Sequence, residues 1–143
     1  MIIGNGSDHM REAVSRRARL RFGLCLVATI VLGAVAFMSR GTPFDAVANH
    51  AGGGLYVLAW IFFVLMLTPG LNPLRVSAAV LMGTCGVEFL QLWQPWPLEL
   101  IRSTLVGRLL LGTSFTWGDF PAYFAGALVG FKVASVVASG GRS

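Results

Sequence analysis

The chain reads as an all-α, polytopic membrane protein: four transmembrane helices, with an interfacial or re-entrant helix between the third and the fourth. Three observations predict this. Of its 143 residues, 55% are hydrophobic and only 12% are charged, where an average soluble domain carries roughly 25% charged residues. Mean hydropathy is +0.73. Apolar runs recur along the chain at lengths suited to a bilayer, since a helix needs roughly 20 apolar residues to cross about 30 Å of hydrocarbon.

Residues 1–19 form a basic, partly disordered N-terminal segment. Its first part, MIIGNGSDHM, is polar and contains glycine. Arg11, Arg16, Arg17 and Arg19 follow, with Arg21 just beyond. Such a stretch can lie along an anionic inner leaflet. Residues 20–139 form the transmembrane domain.

The first span covers about 20–38; no charge lies between Arg21 and Arg40. A basic start, an apolar core and Ala34-Val35-Ala36 also fit a cleavable signal peptide. The apolar run continues past that site and further spans follow, which favours a retained helix. The second span covers about 53–68, and Pro69, Gly70, Asn72 and Pro73 then form a turn. The third covers about 74–93 and holds Glu88 in its interior. The fourth covers about 119–138 and holds Lys132.

Between them, the stretch from Gln94 to Gly118 is apolar in its middle but carries Glu99, Arg102 and Arg108. Each charge near a bilayer centre costs roughly 2.5–3.5 kcal/mol on the insertion scale, so this segment is not expected to span. A break is predicted at Gly107. Arg102 and Arg108, six residues and about 240° apart on one helix, share a polar face only if the helix is interrupted.

Orientation follows from Lys and Arg. With both termini cytoplasmic, the inner side holds the five N-terminal arginines, Arg75 and Arg142; the outer side holds Arg40, Arg102 and Arg108. That agrees with the positive-inside rule. Trp93, Trp96 and Trp117 then form an outer aromatic belt, and Trp60 packs within the bundle. Ala122, Gly126, Gly130, Ala134 and Ala138 recur every four residues, a ladder that lets another backbone approach closely. Ala79 and Gly83 have the same spacing on span three, so spans three and four are expected to pack tightly. The net charge of +5 is a topology signal here. Nucleic-acid binding is not expected, because no basic stripe is interleaved with aromatics.

The informative polar residue is Glu88. An ionisable group at this depth is costly and marks a candidate site. Thr84 and Gln91 lie at i−4 and i+3 on the same face. Partners open to Glu88 are Arg102, Arg108 and Lys132. Arg102 and Arg108 suit phosphate or carboxylate, since a guanidinium fork matches those anions, or they snorkel to the interface. Asp119, before Phe120-Pro121, is expected to N-cap span four. His50, with Asp45 and Asn49 nearby, lacks a second ligand at metal-binding spacing, so no metal and no cofactor are assigned. Cys25 and Cys85 have no redox or zinc spacing. No nucleophile elbow or Walker loop occurs, and no catalytic residue is assigned.

A longer pattern begins at Glu88. It runs Glu88-Phe89-Leu90-Gln91-Leu92, Pro95-Trp96, Ile101-Arg102-Ser103-Thr104 and Gly107-Arg108-Leu109-Leu110-Leu111-Gly112. It continues through Phe115-Thr116-Trp117-Gly118-Asp119-Phe120 to Tyr123-Phe124-Ala125-Gly126. This resembles the bacterial membrane-protein family labelled domain of unknown function (DUF) 2809, with broad similarity to VanZ-like proteins. The likeness covers roughly residues 30 to 130 and is strongest over 88–126. It implies a four-helix protein of the bacterial inner membrane with no assigned activity. Many relatives carry an acidic residue at the small-residue start of span two; this chain reads His50-Ala51-Gly52-Gly53-Gly54 there, without one.

The expected function is binding of an envelope component or anionic lipid headgroup at the outer face, through Glu88, Gln91, Arg102, Arg108 and Asp119. The alternatives are an enzyme of lipid or cell-wall chemistry, weakened by the missing nucleophile and metal site, and a small dimeric transporter, weakened by the strong Lys/Arg bias. The bilayer is the expected partner, and self-association is left open.

Overall fold

The computed structural model describes residues 5–39, 45–92, 96–107 and 115–140. Helix is the regular structure throughout the described residues. The elements are α1 (Asn5–Met38), α2 (Asp45–Leu67), α3 (Pro73–Leu92), α4 (Trp96–Arg102) and α5 (Asp119–Ser139).

Helix α1 starts at Asn5 rather than near Leu20, so the basic stretch continues the first helix without a break. Its 34 residues measure about 51 Å at 1.5 Å per residue. Helix α2 likewise starts before the expected Gly53, at Asp45. It ends at Leu67, just before Pro69, which cannot supply a helical N–H, and Leu71 N–H donates to the Thr68 carbonyl at 3.1 Å to close the turn. Asn72 then caps α3: its Oδ1 accepts from Leu74 N–H at 2.8 Å, and Pro73 follows in the first helical position, where a missing N–H costs nothing.

Three helical segments are long and apolar enough to cross a membrane, Glu12–Met38, Pro73–Leu92 and Asp119–Ser139. The apolar part of α2, Ala51–Leu67, is shorter. Large apolar side chains such as Leu24, Val31, Met82 and Leu128 point outward. Together these features suggest insertion into a membrane, where outward apolar surface meets lipid.

The core forms around α2, whose Val57, Ile61 and Leu65 are fully buried. Phe22 from α1, Val76 from α3 and Tyr123, Ala127 and Ala134 from α5 join them. Gly23 faces Met66, so α1 and α2 run antiparallel. Gly54 faces Gly126 and Ile61 faces Gly130, so α2 and α5 run parallel. The tight turn after α2 makes α3 antiparallel to both.

The small-residue ladder of α5 corrects an expectation. It faces α2, not span three: a Cβ on Gly126 would stand 2.4 Å from the Gly54 carbonyl oxygen, and one on Gly130 would stand 2.7 Å from Ile61 Cδ1. Gly83 on α3 meets nothing within 4 Å and is exposed, as is Ala79. Gly54, in the first half of α2, is where the α5 backbone comes closest. Trp60 is half-buried; its ring makes edge contacts with Tyr56 and Phe63 of its own helix.

Candidate functional site

Glu88 sits four residues before the end of α3, about 6 Å along the axis. Tyr123 sits four residues after the start of α5. Because these helices are antiparallel, both residues reach the same level, and the Tyr123 hydroxyl donates to Glu88 Oε1. Glu88 is only 3% exposed and Tyr123 only 7%. The second carboxylate oxygen, Oε2, is buried with no hydrogen-bond donor among the described residues. An unsatisfied buried acceptor costs about 1–3 kcal/mol, so this oxygen is a point of chemical tension in the bundle, as is Ser77 Oγ.

The local sequence explains the placement of the phenol. Gly53 leaves room for the Tyr123 ring: a Cβ there would stand 2.9 Å from Cε1 of the ring. Thr84 and Gln91 are buried on the Glu88 face. The Thr84 hydroxyl donates to the Val80 carbonyl one turn back, at 2.9 Å, and so is satisfied locally.

The basic candidates fall elsewhere. Arg102, at the end of α4, donates from Nη2 to the Leu90 carbonyl at 3.0 Å. That carbonyl belongs to the last turn of α3, where no intrahelical partner remains, so Arg102 caps α3 with a cation at its negative end. Its Nε is buried with no acceptor among the described residues. Lys132 is exposed on α5. Arg108, Trp93 and Gln94 lie outside the described residues, as does the His50 side chain.

Asp119 also differs from expectation. It occupies the first turn of α5, while the N-cap is Gly118, without a side-chain cap bond. A carboxylate in a first turn still complements the positive helix end. The break after α4 comes earlier than the predicted Gly107. It lies at Ser103 and Thr104, where the Thr104 hydroxyl donates to the Ile101 carbonyl at 2.7 Å and accepts from Gly107 N–H at 2.9 Å. Gly107 has a different role. A Cβ there would stand 1.8 Å from the Ile101 carbonyl oxygen, so only glycine fits where the chain folds back.

An aromatic cluster stands beside Glu88. Phe89 lies 5.7 Å from Phe120 and 6.3 Å from Phe115, centroid to centroid. Trp117 packs on Phe115 at 4.9 Å, and Phe120 on Tyr123 at 6.2 Å. Trp117, 71% exposed, and Phe89 form its outer rim.

The structure therefore brings Glu88 and Gln91 into one buried face, places Arg102 and Asp119 at the same end of the bundle, and assigns Glu88 a phenol partner. Among the expected binding residues Tyr123 was missing. A phenol three residues before Gly126, on a helix side otherwise reserved for small residues, was the signal for it. Among the described residues no three His, Cys, Asp or Glu side chains gather.

The family model described as Protein of unknown function (DUF2809) matches residues 43–127. No curated protein and no solved structure matches the chain.

Proposed function

Since this chain belongs to DUF2809, a family of unknown function, we propose from its geometry that it is a four-span protein of the bacterial inner membrane that binds a lipid headgroup or another envelope component at the bundle end holding Glu88. The observation that carries this reading is the buried carboxylate with one oxygen lacking a donor. A polar group in that state, near a membrane boundary, is a site before it is a strut.

Four spans require α2 to cross as well. Its 23 residues are about 34 Å long, and it already forms the centre of the core. Residues 1–19 then lie in the cytoplasm and residues 20–139 form the membrane domain. Arg16, Arg17, Arg19, Arg21 and Arg75 lie towards the bundle end opposite Glu88, which supports cytoplasmic termini under the positive-inside rule. Glu88, Gln91, Asp119, Arg102 and Arg108 would then serve the outer side, the arginines towards phosphate.

Mass spectrometry of lipids and envelope components retained through purification in mild detergent tests the reading. One component enriched above its membrane abundance, and lost in Glu88→Ala, is the expected result. Retention that mirrors bulk membrane composition in both proteins would sink it.

A further inference from the structure

We infer that the group bound at Glu88 is an ammonium, carried by a phosphate-bearing lipid headgroup; this rests on reading the Glu88 end as a headgroup site. Among the described residues Oε2 has no donor, while Oε1 already accepts from Tyr123. The nearby charge on α5 is also acidic: Asp119 lies one turn before Tyr123. The nearest basic candidate that is described, Arg102, directs Nη2 to the Leu90 carbonyl. The vacancy at Oε2 therefore calls for a cationic donor rather than an anion.

The aromatic rings supply the second observation. Phe89 adjoins Glu88 in sequence, and Phe120 lies within 5.7 Å of Phe89 and 6.2 Å of Tyr123. Phe120 packs on Tyr123, the phenol bound to Glu88, and a carboxylate with aromatic rings nearby is the chemistry that holds ammonium groups, through a charge-assisted hydrogen bond and cation–π attraction. The depth, about 6 Å inside the end of α3, is that of a headgroup reaching in from the interface. Oε2 is buried, so the side chains around it must move to admit the ammonium. Arg102 Nε, buried and without an acceptor among the described residues, lies at the same bundle end and suits the phosphate of the same headgroup.

The experiment is a native mass-spectrometric titration of the full chain in detergent. It compares phosphatidylethanolamine with phosphatidylglycerol of identical acyl chains, and adds soluble phosphoethanolamine as competitor. The expected result is about a tenfold preference for the ethanolamine lipid, the size of one charge-assisted hydrogen bond, abolished in Glu88→Gln. Displacement of the lipid by the competitor supports headgroup recognition. Binding of the competitor without any lipid preference supports the ammonium but assigns it to a free amine. Equal binding of both lipids, unchanged in Glu88→Gln, overturns the ammonium and leaves headgroup binding standing. Retention of neither lipid overturns both. Should Glu88→Gln lose its monodisperse profile, Phe120→Leu reads the ring contribution: a reduced preference supports the inference, and an unchanged one overturns it.

Discussion

Tyr123 on α5 donates its hydroxyl hydrogen to Oε1 of Glu88 on α3, joining residues 35 positions apart in sequence. Removing the donor strands Oε1 as well as Oε2. Tyr123→Phe is expected to cost about 1–3 kcal/mol, read by denaturant unfolding in micelles. Combining it with Glu88→Leu should recover part of the loss, because two apolar partners leave no orphan. Simple additivity of the two losses would show that the hydroxyl contributes nothing to holding α3 against α5.

Gly126 and Gly83 predict opposite outcomes for the same substitution. Gly126→Ala places a methyl 2.4 Å from the Gly54 carbonyl oxygen, so α2 and α5 must separate, at about 1–3 kcal/mol or more. Gly83→Ala meets open space and should be neutral or slightly stabilising, since alanine is the better helix former. Thermal stability followed by size-exclusion chromatography separates the two. Equal effects would contradict the assignment of the ladder to α2.

Arg102→Ala removes the donor to the Leu90 carbonyl. The last turn of α3 should fray, with a stability loss of about 0.5–1.5 kcal/mol. Hydrogen–deuterium exchange should quicken near residues 88–92 and stay unchanged in the second half of α5. Unaltered exchange there would remove the capping role.

Membrane orientation is testable by labelling. In a Cys25→Ala, Cys85→Ala background, cysteines replace Trp117 and Leu71, both exposed side chains at opposite bundle ends. An impermeant maleimide applied from the periplasmic side should label position 117 and spare 71. The reverse pattern inverts the proposed topology.

The apolar helices were legible because long apolar stretches nearly free of charge leave few alternatives to a membrane. Helix starts were less so. Asn5 and Asp45 open helices inside polar sequence that hydropathy alone gives no reason to order. Gly52 to Gly54 gave no sign of a packing role in the sequence, because glycine by itself only weakens an isolated helix. Their purpose emerges only once α5 is packed against them, a relation that no local window contains. The phenol partner of Glu88 was missed for a similar reason. Charge complementarity left Arg102, Arg108 and Lys132 open; the carbonyls at the end of α3 compete for the Arg102 guanidinium, and Tyr123 reaches the carboxylate without importing another charge. The break at Thr104 was missed by three residues because its hydroxyl can end one helix and begin the next turn, whereas Gly107 drew attention as the obvious weak point.

Phe22, carried on α1, is 1% exposed and belongs to the same core as Leu65 and Ile61. Emptying a large aromatic site of this kind typically costs about 3–5 kcal/mol. Cutting the chain beyond Ala36 would therefore take this ring out of the core and bare the flank of α2. The helix that carries the arginines is thereby packed into the body of the bundle.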